Sequence, residues 1–239
     1  MLVNILSLSA QSEDNTIKYI WKNKENNLTA AVEIFGLQNK KSASPVFFLN
    51  KVDTVLNSSS DSLFHAFKKE FTSTCPVIKI SFYYFEDSVS GKKIKIYSDA
   101  FTKFILPDIR KKYTQLSTDN IIVTGLNSLC LVALSSATNN PLKINKTALL
   151  FNAENYISSM ATLYAEASKN LKGKLFIYVN RQNYIDGSID SFAKSVALIT
   201  TAVLYKYDHY DRPLPKNFFI EVYKWLIADG NNFVILNED

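Results

Sequence analysis

The sequence is poor in the residues on which much protein chemistry depends. Its 239 residues include two cysteines, Cys75 and Cys130, and two histidines, His65 and His209. That ligand count excludes a cysteine-rich zinc centre and a disulfide framework. Six glycines are too few, and too scattered, for a phosphate-cradling loop; neither G-x-G-x-x-G nor a Walker A pattern is present. No cofactor and no bound metal are therefore expected. Long apolar runs are missing too. The nearest, Ile121 to Ala137, is broken by Gly125, Asn127 and several hydroxyls and falls short of the roughly 20 apolar residues of a membrane span.

Charge of one sign is also in short supply. Lys and Arg number 27 against 22 Asp and Glu, a formal charge of +5. The lysine pairs Lys40-Lys41, Lys68-Lys69, Lys92-Lys93 and Lys111-Lys112 fall on unrelated segments. A nucleic-acid groove needs its cations on one face with exposed aromatics between them, so no nucleic-acid partner is expected. What the chain does have is apolar mass. At 47% hydrophobic and 21% charged residues it buries a core large enough to fold unaided, as one domain over residues 16–239. The opening Met1 to Ala10 is apolar apart from Asn4 and two serines. It reads as a signal remnant or a frayed terminus over residues 1–15, and on balance as export.

Period-two and helical spacings alternate along the chain. Strands are expected at Ile17–Trp21, Leu28–Phe35, Pro45–Leu49 and Val77–Tyr84, with Lys92–Tyr97 as an extension or hairpin arm after Ser90-Gly91. Leu63, Phe64, Phe67 and Phe71 mark a helix around His65, which reads as structural. A second helix spans Phe101 to Ile109, interrupted or kinked at Leu106-Pro107. Then follow strand Ile121–Val123, helix Leu129–Ala137, strand Thr147–Phe151, helix Asn155–Leu171 and strand Leu175–Val179. Helix Ile189–Ile199, strand Val203–Tyr207 and helix Phe218–Ile227 complete the order. Such alternation predicts an α/β fold, a mostly parallel sheet between helices in three layers. Ligands meet such sheets at the carboxyl ends of the strands, which here means Asn50–Asp53, Gly125–Leu129, Asn180–Asp186 and Asp208–Pro213.

Four segments in this order carry a resemblance. Ile121-Ile122-Val123-Thr124-Gly125-Leu126-Asn127-Ser128-Leu129-Cys130 resembles the strand, nucleophile elbow and helix of α/β-hydrolase esterases, in particular the esterase family that includes the siderophore (enterochelin-type) esterases. Phe101 to Tyr113 is similar to that family's preceding helix, and Val46–Asp53 to its first central strand and turn. Asp208-His209-Tyr210-Asp211-Arg212-Pro213, leading into Val222-Tyr223-Lys224-Trp225-Leu226, is similar to its histidine loop and last helix. The likeness runs from about Ala43 to Ile227. It implies an α/β-hydrolase fold, with Asn127 at the nucleophile position, His209 at the base position, and Asn50 and Lys51, with Ser128, near the oxyanion hole.

The departures from that family bear on function. An elbow of the form G-x-S-x-G needs small residues flanking a strained nucleophile. Here Asn127 replaces the nucleophile and Leu129 the second glycine, whose branched side chain is expected to loosen or re-aim the turn. A carboxamide cannot attack an ester, although asparagine tolerates a positive φ. Ser128 is the alternative nucleophile, one residue off the apex; it or Asn127 is expected to cap the following helix. Cys130 reads as a buried apolar contact. The acid position after Leu175–Val179 reads Asn180-Arg181-Gln182-Asn183, which leaves Asp186, or Asp190, as acid candidate. Three readings stay open: a relative without hydrolase activity that binds a small ligand or a protein partner in the old pocket, an ester hydrolase using Ser128 and His209, or an interaction module with that pocket filled.

Overall fold

The computed structural model describes residues 16–37, 44–52, 58–85, 90–117, 120–140, 142–151, 161–180, 188–198, 201–207 and 216–228. The expected signal remnant at 1–15 lies outside them. Eight strands are present among the described residues: β1 Ile17–Asn23, β2 Leu28–Phe35, β3 Val46–Lys51, β4 Val77–Phe82, β5 Ile121–Leu126, β6 Ile144–Phe151, β7 Lys174–Asn180 and β8 Thr201–Tyr207. They form one sheet in the order β1-β2-β4-β3-β5-β6-β7-β8. Strands β3 to β8 pair in parallel, while β2 runs antiparallel to both its neighbours. A parallel pair needs a crossover helix. Helices α1 Ser58–Phe71, α2 Gly91–Asp99, α3 Leu106–Lys112, α4 Leu129–Asn139, α5 Ala161–Asn170, α6 Ser188–Val196 and α7 Lys216–Ile227 supply the layers.

Two apolar clusters show how the layers divide. On one face Phe48 of β3 meets Phe64 and Phe67 of α1 and Tyr223 of α7, with ring centroids 5.4, 4.7 and 5.7 Å away. The other face carries Phe47, Leu49, Ile121 and Val123 packed with residues of α2 to α6. Successive side chains on β3 and β5 thus serve opposite cores. Every residue of β5 is buried, which is why the segment reads as a continuous apolar run rather than an alternation. Helix α4 is buried from Leu129 to Thr138. Its inner hydroxyls stay inside by bonding back one turn: Ser136 Oγ donates to Val132 O at 2.7 Å and Thr138 Oγ1 to Leu134 O at 2.8 Å.

One element differs in kind from its sequence expectation. Lys92–Tyr97 is not a strand arm but lies within α2. Ile94 and Ile96 suggest a period of two, yet the buried positions are Ile94, Tyr97, Ser98, Phe101 and Ile105, a helical face. Ser90 starts the helix by accepting from the Lys93 amide at 3.4 Å. After Asp99 the chain passes through a π-helical segment, Ala100–Ile105, before α3 resumes with Pro107 in its first turn. The wider turn is placed where Pro107 offers no N–H to the ladder. Strand β4 also stops at Phe82, two residues short of expectation.

Gly125 controls the approach of β5 to α4. A Cβ there would lie 2.5 Å from both Cys130 Cα and Leu129 O, a distance that backbone atoms cannot accommodate. The expected outcome for Gly125→Ala is therefore a loss of roughly 2–4 kcal/mol, read from urea unfolding midpoints. An effect below about 0.5 kcal/mol would mean the strand and helix are free to separate.

Candidate functional site

The topology itself marks the site. From β3 the chain crosses through α1 to β4 on one side; from β5 it crosses through α4 to β6 on the other. Helices α1 and α4 lie on opposite faces, so the carboxyl ends of β3 and β5 form the point where strand order reverses, the place at which such sheets take ligands in a crevice. The residues at that point are Asn50 and Lys51 at the end of β3 and Asn127 just past β5. The ladder pairs Leu49 with Gly125, so one further turn of the pleat puts Lys51 level with Asn127.

Asn127 occupies the strand-to-helix turn with φ at +52°, a conformation asparagine accepts more readily than most residues. Its amide extends the sheet by donating to Leu150 O at 2.9 Å, and its carbonyl accepts from the Cys130 amide at 3.0 Å. These bonds and the Gly125 contact hold a tight elbow. Leu129 does not loosen it, contrary to expectation. The side chain is 1% exposed and packs into the core beneath the turn, while the close approach is made by its carbonyl and by the Cys130 backbone.

The expected side-chain cap is not made. Ser128 is already helical, with φ −59° and ψ −24°, and forms no capping bond. The first-turn amides go instead to the backbone carbonyls of Asn127 and Ser128, the latter receiving Leu131 N at 3.3 Å. Asn127 Oδ1 is left buried without a hydrogen-bond partner, an acceptor whose desolvation costs about 1–3 kcal/mol. Ser128 itself is 1% exposed. On β3, Asn50 is 8% exposed and its Oδ1 accepts from the Lys51 amide at 2.9 Å; Lys51 is half-buried beside it. The other nominated groups, His209 and Asp186, lie outside the described residues, as does the Asn180–Asp186 loop beyond Asn180. Among the described residues no three His, Cys, Asp or Glu side chains gather as a metal site, and no helix is long and apolar enough to cross a membrane.

Beneath the elbow lies a polar contact that sequence reasoning passed over. Thr124, one residue before Gly125, hydrogen-bonds Tyr223 of α7, both fully buried. The signal was a lone hydroxyl in an otherwise apolar strand. Burial keeps the Tyr223 phenol protonated far above its ordinary range, only partly offset by the Thr124 bond. Burial likewise drives the Cys130 thiol well above its usual value, and its Sγ donates to Gly125 O at 3.2 Å. Cys130 is thus an inert packing contact, as expected, despite its place in the first turn of α4.

Two measurements follow from this geometry. Asn127→Gly should leave stability within about 0.5 kcal/mol, whereas Asn127→Val should cost roughly 1–2 kcal/mol because a β-branched side chain resists the left-handed region; equal effects would remove the elbow conformation. Cys75, pushed up to about 11 by burial, and Cys130 should both resist a thiol-specific disulfide reagent at pH 8 until the protein is unfolded, when both react. Because these thiols hold their protons more tightly when folded, their contribution is complete below the ordinary value of 9.0. It is lost as pH rises, through about 11 for Cys75. A chemical denaturation midpoint flat between pH 8 and 11 would contradict this.

No family model matches this sequence, and a search of curated proteins finds no match. Solved structures do match along nearly the whole chain. An esterase from Pyrococcus furiosus superposes with a TM-score of 0.61 at 12% identity, over 94% of this chain and 95% of its own. A siderophore hydrolase from Aspergillus nidulans gives 0.58 at 10% identity, over 92% and 98%. An S-formylglutathione hydrolase from Agrobacterium tumefaciens gives 0.53 at 9%, over 93% and 95%. With the sheet order, the crossover helices on both faces and the turn at Asn127, these likenesses establish the architecture: the chain has the α/β-hydrolase fold, a mostly parallel sheet in a three-layer α/β/α arrangement.

Proposed function

We propose that this chain is an esterase-fold protein that does not hydrolyse esters and instead binds a small ligand at the crevice between β3 and β5. The observation that carries the proposal is Asn127. It takes the apex of the elbow, and its carboxamide oxygen is buried there without a hydrogen-bond partner. An amide oxygen is no nucleophile, but it is a good acceptor for a ligand N–H or O–H. A ligand group that satisfies it recovers the desolvation cost of the unpaired oxygen. Asn50 and Lys51 stand at the neighbouring strand end, where they add an amide and a cation to the same crevice.

The second reading is a carboxylic-ester hydrolase that uses Ser128 with His209. The structural neighbours favour it, being esterases and hydrolases by description. Burial of Ser128 weighs against it, since an attacking hydroxyl must meet both substrate and base within hydrogen-bond reach. Asp186, outside the described residues, would be its acid.

Hydrolysis of 4-nitrophenyl acetate by wild type, Ser128→Ala and His209→Ala separates the two. The expected result is background rates in all three. Asn127→Ser should also stay at background, because the other parts of a triad are not restored with it. In serine hydrolases the nucleophile alone is worth on the order of 10⁶ in kcat. Wild-type turnover abolished in both variants would overturn the binding reading and make Ser128 the nucleophile.

A further inference from the structure

A second feature stands at the same edge of the sheet. Among the described residues, four other than glycine have positive φ: Asn27, Asn120, Asn127 and Tyr84. Asparagine reaches this region at little cost, but for a bulky aromatic residue it is an outlier. Tyr84 has φ at +58° and follows β4, and its side chain is 88% exposed. The exposed ring itself gains little from packing in this position. Its nearest aromatic neighbour is Tyr83, at 6.3 Å between centroids and tilted by 46°.

The turn is held from both sides. Phe82 and Phe85 are buried and pack against the same ring, that of Tyr97 on α2, at 5.1 and 4.7 Å between centroids. The Tyr83 amide donates to Thr29 O and the Val52 amide to Phe82 O, each at 2.9 Å. With two phenylalanines pinned to one tyrosine, the two residues between them must turn sharply, and Tyr84 is forced outward. Strain maintained in this way points to a use for the side chain.

Register gives its relation to the crevice. Phe82 pairs with Lys51, and Lys51 is level with Asn127 by continuation of the β3–β5 ladder. Phe82, Lys51 and Asn127 thus form a row across three adjacent strands, roughly 10 Å from first to last at about 4.8 Å per strand. Tyr84 stands two residues past one end of the row and Asn127 at the other.

We propose that Tyr84 is the aromatic platform of a ligand subsite. The ligand's polar head donates a hydrogen bond to Asn127 Oδ1, and an aromatic ring at its other end stacks on Tyr84, past the far end of that row. This rests on the binding reading above and extends it to a ligand class, arylalkyl amides or similar aryl-bearing donors. Aromatic pairs prefer each other over saturated rings of equal area through quadrupole geometry, so the ring's aromaticity, not only its bulk, should matter. Strain makes a second demand: replacing Tyr84 by a residue that accepts positive φ should stabilise the protein while it removes recognition.

The probes are 4-phenylbutyramide and 4-cyclohexylbutyramide, matched in head, linker and ring size, titrated into the full chain and into Tyr84→Asn by calorimetry. Wild type is expected to favour the phenyl compound by roughly 3- to 10-fold. In Tyr84→Asn the two should bind equally, and the thermal midpoint should be higher. Equal affinities in wild type, a phenyl preference that survives in Tyr84→Asn, or a lower thermal midpoint in that variant would overturn the subsite and leave the Asn127 reading standing. Failure of both amides to bind wild type would overturn the Asn127 reading, and the subsite with it.

Discussion

The structure turns on the absence of one carbon atom. At Gly125 the backbone of β5 meets the backbone of α4 with no room for a Cβ, and the consequences spread from there. The chain can leave β5 and enter α4 only through a reversal at Asn127, which must take a positive φ. Helix α4 then lies against the sheet along its whole length, buried on nearly every side. The Cys130 thiol closes the contact by donating to the Gly125 carbonyl. An elbow of this kind belongs to the packing of the domain before it belongs to any chemistry. It persists whatever side chain stands at its apex, provided that side chain tolerates the turn.

The buried polar groups around the elbow follow from the same constraint. A helix pressed this tightly against a sheet has no water to satisfy its hydroxyls, so each needs an internal partner. Ser136 bonds both Val132 O and Ser98 Oγ of α2, tying two helices together. Thr124 bonds Tyr223 through the opposite layer. At the amino-terminal edge of the sheet Lys174, 6% exposed, donates to the Trp225 and Ala228 carbonyls at 2.7 and 2.5 Å and lies over the Trp225 ring. A cation on the last carbonyls of α7 suits both the unsatisfied acceptors and the helix dipole. Asn127 Oδ1, like Tyr19 Oη and Asn145 Oδ1, is by contrast buried without a hydrogen-bond partner.

Much of the architecture was legible because it rests on patterns that act over a few residues. Runs such as Val46–Leu49 and Ile121–Val123 can only be strands covered on both faces, and their alternation with helical spacings specifies parallel crossovers. The turn at Asn127 was legible from Gly125 and the asparagine together. What was not legible depended on partners distant in the chain. Lys92–Tyr97 alternates like a strand, and only its packing against α4 shows that the operative period is helical. The effect of Leu129 was misjudged because the elbow's tight contact turned out to involve its carbonyl and not its side chain. Tyr84 carries no local signal at all: its conformation is imposed by Phe82 and Phe85, both anchored on Tyr97.

The way α7 is fixed bears on what the site is able to do. Tyr223 joins this helix to β5 one residue below Gly125, and Lys174, with Lys146 on Ile227 O at 3.4 Å, holds its far end to β7 and β6. The segment carrying His209 lies in the chain between β8 and α7, and α7 is tied to the elbow strand through a buried bond. Hydrolase chemistry would need that frame to bring a base to the apex, and ligand capture would need it to keep the crevice shaped. The frame serves both, and nothing in the sheet or its helices distinguishes them. The distinction lies in two groups: an amide oxygen at Asn127 that is buried without a partner, and a buried hydroxyl at Ser128. Which of the two this frame serves is therefore decided at the elbow, where an asparagine stands at the apex and a serine follows it in the first turn of α4.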